Sequence, residues 1–71
     1  MKRAAIVLTT GFEEIEAIVP MDILRRVGVE VDIVGVLGNE ATGSHGLTIS
    51  TDKELTAVKN ELYDIVILPG G

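Results

Sequence analysis

Apolar residues run without interruption from Ala4 to Leu8, and Arg3–Thr9 as a whole has the aliphatic, β-branched character of a strand buried on both faces of a parallel sheet. Val29–Val36 and Ile65–Leu68 repeat that character. Between them, Leu47–Ser50 alternates apolar with hydroxyl residues, as a half-exposed strand does. Gly43 and Gly46 punctuate this stretch, so Thr42–Ser50 is expected to form a short, irregular or bent strand at a sheet edge.

Glu13–Val27 predicts the one long helix. Glu13, Glu14 and Glu16 stand near its start and Arg25 and Arg26 at its end, which complements the helix dipole, and Gly28 suits a C-terminal cap. Pro20 removes the amide that would bond to the Glu16 carbonyl and so predicts a kink. A shorter helical turn is expected over Glu54–Val58, with Thr51 and Asp52 as cap candidates. Strand, helix, strand, edge strand, short helix, strand is a βαβ order, which predicts right-handed crossovers and a mostly parallel sheet of the α/β class.

Length changes this picture. A chain of 71 residues buries only a modest core, and with no cysteine and a single histidine it has neither disulfide nor metal staple to add. Its hydrophobic fraction of 46% is almost wholly aliphatic, the aromatics being Phe12 and Tyr63. The last predicted strand runs into Leu68-Pro69-Gly70-Gly71 with no following helix to cover it, which would leave an apolar face and an edge exposed. Residues 1–71 are therefore expected to be the N-terminal part of a single larger domain, with the remainder absent from this chain.

A net charge of −5 argues against a phosphate-backbone binder, so no nucleic-acid partner is expected. Met1-Lys2-Arg3 is basic, but the apolar run behind it is too short for a signal peptide or a membrane span. A cytoplasmic protein without membrane attachment is expected.

Ligands of open parallel sheets bind outside the carboxyl ends of the strands. Two loops lie there, Thr9–Glu14 and Pro69–Gly71, and they share a cleft if the first and last strands are neighbours. At about 100° per residue, Glu16 falls on the side of Val19, Ile23 and Val27, Glu14 and Arg25 fall on the opposite, wet side, and Glu13 lies near the edge. A carboxylate aimed at an apolar face must find a hydrogen-bond partner or take up a proton, which singles out Glu16. Glu13 and Glu14 read as solvated acids favouring the helix N-terminus. Pro69-Gly70-Gly71 would let backbone amides approach an oxyanion, although on spacing alone a tight turn is the better reading. His45, between Ser44 and Gly46, has no cysteine or second histidine with which to share a metal, and a surface role is its default. No metal site and no cofactor are expected. Neither G-x-x-x-x-G-K-[ST] nor G-x-G-x-x-G occurs, and no phosphoacceptor aspartate ends Ile65–Leu68 as a receiver domain would require.

The segments Arg3–Leu8, Gly11-Phe12-Glu13-Glu14-Ile15-Glu16, Pro20-Met21-Asp22, Arg25-Arg26-Val27-Gly28 and Tyr63–Gly71 together resemble the N-terminal part of the ThiJ/PfpI superfamily, most closely the branch of the parkinsonism-associated protein deglycase and its bacterial relatives. The match covers nearly the whole chain. The resemblance implies a flavodoxin-like three-layer sandwich, incomplete in this chain, and a homodimer. It also implies a reactive cysteine on a strained strand-to-helix turn a few tens of residues beyond the Pro-Gly-Gly. By that resemblance, Glu16 matches a protonated glutamate that hydrogen-bonds the cysteine, and Gly71 supplies a backbone amide to the oxyanion pocket. Gly11 and Gly70 match turns that approach the site, and His45 falls in a loop that reaches the partner subunit's pocket. The implied activity is glyoxalase or deglycase chemistry on small reactive carbonyls, with an oxidative-stress role. A non-catalytic chaperone or dimerisation module, a PfpI-type peptidase and a flavodoxin-like cofactor carrier are the alternatives. Lacking cysteine, residues 1–71 cannot perform the nucleophilic step alone, and the missing C-terminal part of the same polypeptide is the expected partner.

Overall fold

The computed structural model describes residues 2–71; Met1, where the expected domain begins, lies outside the described residues. The elements are β1 (Arg3–Leu8), α1 (Glu14–Arg26), β2 (Glu30–Gly35), β3 (Glu40–Thr42), β4 (Thr48–Ser50), β5 (Lys53–Glu54), a 3-10 turn (Leu55–Ala57) and β6 (Ile65–Ile67). Four strands form a parallel sheet in the order β5-β2-β1-β6. The α/β class and the parallel sheet follow the hydrophobic pattern.

The uninterrupted apolar run makes β1 the central strand, with Ala4 paired to both Val31 and Ile65. Alternate residues then feed two cores. Ala4, Ile6 and Leu8 join Val31, Ile33, Phe12, Ala17 and Ala41 on the face covered by α1. Ala5 and Val34 meet Val58 on the other face, with Val7 and Tyr63 packed alongside.

The face that α1 turns to the sheet is not the predicted one. Ala17 is buried, with Met21 and Leu24 packed behind it at helical spacing. Val19, Ile23 and Val27 are 47%, 55% and 71% exposed, and Ile15 and Glu16 share that outer side. The helix carries two apolar rows, and the smaller one wins because Ala17 permits close approach to the strands. The helical assignment runs unbroken through Pro20. It ends as Gly28 predicted: at a φ of +91° this residue donates its N–H to the Arg25 carbonyl while Val29 donates to Leu24, the paired bonds of a Schellman cap.

Thr42–Ser50 is not an edge strand of the main sheet. Gly46, at a φ of +91°, helps turn the chain back on itself, the Gly46 N–H donating to the Gly43 carbonyl, so that β4 pairs with β3 as a separate antiparallel hairpin. The sheet edge is instead β5, and the Glu54–Val58 turn contracts to Leu55–Ala57. Asp52 caps no helix. It reproduces a rung of the sheet, its N–H donating to the Ile33 carbonyl at 2.7 Å and its carboxylate accepting the Ile33 N–H at 2.8 Å. At the opposite edge, Ile65 and Val66 of β6 are 40% and 57% exposed among the described residues, the open apolar edge that the sequence anticipates at this strand.

Asp32 is the buried charged residue among those described, placed on β2 beside Ala5. Its Oδ2 accepts from the Tyr63 hydroxyl at 2.7 Å, from Arg3 at 3.1 Å and lies 3.1 Å from the Lys53 ammonium. Arg3 also stacks over the Tyr63 ring and pairs with Glu61 at 2.6 Å. These partners offset the desolvation of the carboxylate and tie β1, β2, β5 and the segment before β6 together.

Candidate functional site

Because β6 lies beside β1, the two loops at their carboxyl ends meet. The Glu13 N–H donates to the Gly70 carbonyl at 2.7 Å, and the Gly70 N–H donates to Glu16 Oε1 at 2.7 Å. Both polar backbone groups of Gly70 are thus held by the start of α1. A Cβ on Gly71 would overlap the Gly11 carbonyl, so that approach requires glycine, whereas one on Gly70 would stand 2.9 Å from Glu16 Oε1 and push that flexible carboxylate off its contact. Gly11 itself turns at a φ of +87° and donates its N–H to the Thr42 carbonyl, anchoring the first loop to the hairpin.

Glu16, Gly70, Gly71 and Gly11 are therefore brought together where the two loops meet. Glu16 gets there from the outer side of α1, exposed to solvent, and its partner is a backbone amide of the other loop instead of the apolar sheet.

Glu14 is the residue that sequence reasoning misplaced. Expected on the wet side, its side chain is only 13% exposed, because the β3–β4 turn folds over it. Its Oε2 accepts the N–H groups of His45 at 2.8 Å and Leu47 at 3.3 Å, and its Oε1 faces His45 Nδ1 at 3.1 Å. Burial pushes this carboxyl up, but its own backbone amide, the two amides of the turn and the His45 ring outweigh that and hold it down at about 2. A Cβ on Gly43 would overlap the Glu14 carboxylate, so Gly43 makes room for the clamp. The glycine pair bracketing Ser44-His45 was the available signal. Helical phase could not use it, since the turn comes from some thirty residues further along the chain.

His45 is thereby pinned, through its ring and its backbone amide, to Glu14. Glu13 stays half-exposed, with its Oε1 3.4 Å from His45 Nδ1 and 3.5 Å from the Ser44 hydroxyl. A cavity of about 580 Å³ opens between the helix start and the turn, lined by Glu13, Glu14, Ile15, Glu16, His45 and Leu47. Its lining thus combines the apolar side chains of Ile15 and Leu47 with three carboxylates, of which Glu16 makes the contact to Gly70. Among the described residues, no helix is long and apolar enough to cross a membrane.

A sequence model of the DJ-1/PfpI family matches residues 2–71. The chain is 41% identical to protein dj-1beta of Drosophila melanogaster over 71 residues and 42% identical to the Parkinson disease protein 7 homolog of Danio rerio over 72. Each match takes in 99% of this chain and 38% of the relative, so the chain spans well under half the length of these proteins. Oxidized DJ-1 of Toxoplasma gondii superposes on all of the chain with a TM-score of 0.96 at 36% identity, using 39% of its own length. DJ-1beta of Drosophila melanogaster gives 0.93 at 38% identity, over 99% of this chain and 38% of its own.

Proposed function

Because the chain belongs to the DJ-1/PfpI family, we propose that it forms one wall of a cysteine-centred site whose nucleophile lies in polypeptide following Gly71. The observation that carries this reading is the 2.7 Å contact between Glu16 Oε1 and the Gly70 N–H, which joins a carboxyl group to a glycine turn at the strand ends where open sheets bind ligands. In the proposed reaction the thiolate adds to the aldehyde carbon of a small reactive carbonyl. A C–S bond forms, the carbonyl π bond opens onto oxygen, the Gly71 amide binds that oxygen and Glu16 positions or protonates the intermediate. Glyoxalase or deglycase activity in an oxidative-stress role is the outcome, with Gly11 and Gly70 shaping the pocket and His45 reaching toward that of the partner subunit.

The proposed assembly is a homodimer in the cytoplasm. Support comes from the outer row of α1, where Ile15, Val19, Ile23 and Val27 leave an apolar stripe on the surface beside the site.

Turnover of methylglyoxal by the intact protein and by a Glu16→Gln variant tests the reaction. The variant is expected to lose about a hundredfold or more in kcat/KM with its thermal midpoint retained. Equal rates would remove Glu16 from the mechanism, and no turnover by the intact protein would leave a non-catalytic module as the reading.

A further inference from the structure

The Nδ1 atom of His45 faces three oxygens at once: Glu14 Oε1 at 3.1 Å, the Ser44 hydroxyl at 3.2 Å and Glu13 Oε1 at 3.4 Å. Whatever its protonation state, an imidazole nitrogen carries one hydrogen at most. One N–H between two carboxylates makes only a shared, three-centre bond, and both carboxyl groups converge on a single ring atom. One oxygen from each acid and one ring nitrogen all lie within 4.8 Å of one another.

Two carboxylate oxygens and an imidazole nitrogen are a ligand set for a divalent first-row cation, and imidazole favours zinc over magnesium or calcium. The spacing agrees. Ligands about 2.0–2.1 Å from a tetrahedral zinc stand about 3.3–3.4 Å apart, and those around an octahedral ion about 2.9–3.0 Å. The observed distances of 3.1 and 3.4 Å fall across that range. We propose that Glu13, Glu14 and His45 bind a zinc-like divalent cation at the mouth of the cavity, with solvent from the cavity completing its shell.

The second Glu14 oxygen shows how the site is prepared. Oε2 is taken by the His45 and Leu47 amides, which leaves Oε1 directed at the ring as a single-oxygen ligand whose orientation is already set. Gly43 leaves the space for that carboxylate. The His45 side chain is 76% exposed among the described residues, so the ring stands at the surface, and a cation bound at Nδ1 would take the place of any hydrogen there. The positive end of α1 opposes the cation with about half a charge, which the two carboxylates outnumber. The site needs neither the cysteine nor Glu16, so it stands or falls apart from the proposed reaction.

The test is titration of the EDTA-dialysed intact protein with Zn²⁺ by calorimetry and with Co²⁺ by visible absorption, alongside Glu13→Gln and His45→Asn variants. Saturable one-to-one uptake in the micromolar range is expected, with a cobalt ligand-field band and a zinc-dependent rise in Tm. Both variants should bind at least about tenfold more weakly, or about 1.4 kcal/mol. Their metal-free Tm should stay near that of the parent, which separates lost ligation from lost folding. No saturable uptake by about 1 mM Zn²⁺, or affinity unchanged in either variant, overturns the site. The same isotherm in both variants would assign the metal to another group, such as a thiol.

Discussion

Asp32 shows what one residue contributes in a sheet this small. Burial pushes its carboxyl up, yet the hydrogen bonds from Tyr63 and Lys53 and the charges of Lys53 and Arg3 outweigh that and hold it below its ordinary value of 3.8. A carboxyl depressed in the folded state stabilises the fold above its unfolded value and loses that contribution as pH falls through the folded one. Asp32→Asn is therefore expected to lower stability at pH 7 by about 1.5–3 kcal/mol, with the difference closing as pH drops below about 4. Urea midpoints of the intact protein and the variant at neutral and acid pH measure this; a gap that persists undiminished in acid would show that Asp32 acts through shape and not charge. Glu14 and Glu16 mark the limit of what single positions reveal. Helical phase reports which residues share a side of α1 but not which side meets the sheet, and Val19, Ile23 and Val27 formed a bulkier row than Ala17, Met21 and Leu24. Phase alone aims Glu16 at the sheet, whereas its Oε1 accepts a backbone N–H of the other loop, and phase alone places Glu14 in solvent, whereas the β3–β4 turn closes over it.

Elements were legible where pattern is continuous and local. β1, β2, β6 and the C-terminal cap of α1 follow from aliphatic runs and a glycine after two arginines. The cap is open to test: Gly28→Ala, at a φ of +91°, is expected to destabilise the intact protein by about 1 kcal/mol, read as a lowered thermal midpoint without loss of the fold. An unchanged midpoint would mean that the helix end is held by Val29 and Leu24 packing alone. The hairpin and β5 were not legible. Glu40-Ala41-Thr42 is too short to show alternation, and Lys53-Glu54 looks like a helix entry until Asp52 is seen occupying a rung beside Ile33.

At the scale of the whole molecule, residues 2–71 close one face of the sheet with α1 and leave the other lightly covered by Val58 and Tyr63. Its outer helix row and β6 edge are apolar surfaces looking outward. Ile23→Glu, at the centre of the proposed dimer stripe, is expected to convert the intact protein to a monomer in sedimentation while leaving its circular dichroism unchanged. A dimer that survives the substitution would move the interface elsewhere.

The position of β6 beside β1 also sets an order in time. Ala4 meets Val31 after a single helix has been laid down, but it meets Ile65 only across nearly the entire chain, and longer closures are slower. The β1–α1–β2 unit is thus expected to form first and β6 to dock last. Since Gly70 arrives with β6, the contact to Glu16 closes at the end of folding. Pulsed hydrogen exchange should find the Ile33 amide protected before that of Gly70, and simultaneous protection would rule the sequence of events out. A refolding chain would acquire its scaffold early and its chemistry late, so half-folded molecules would be inert toward the carbonyls that the finished site is proposed to handle.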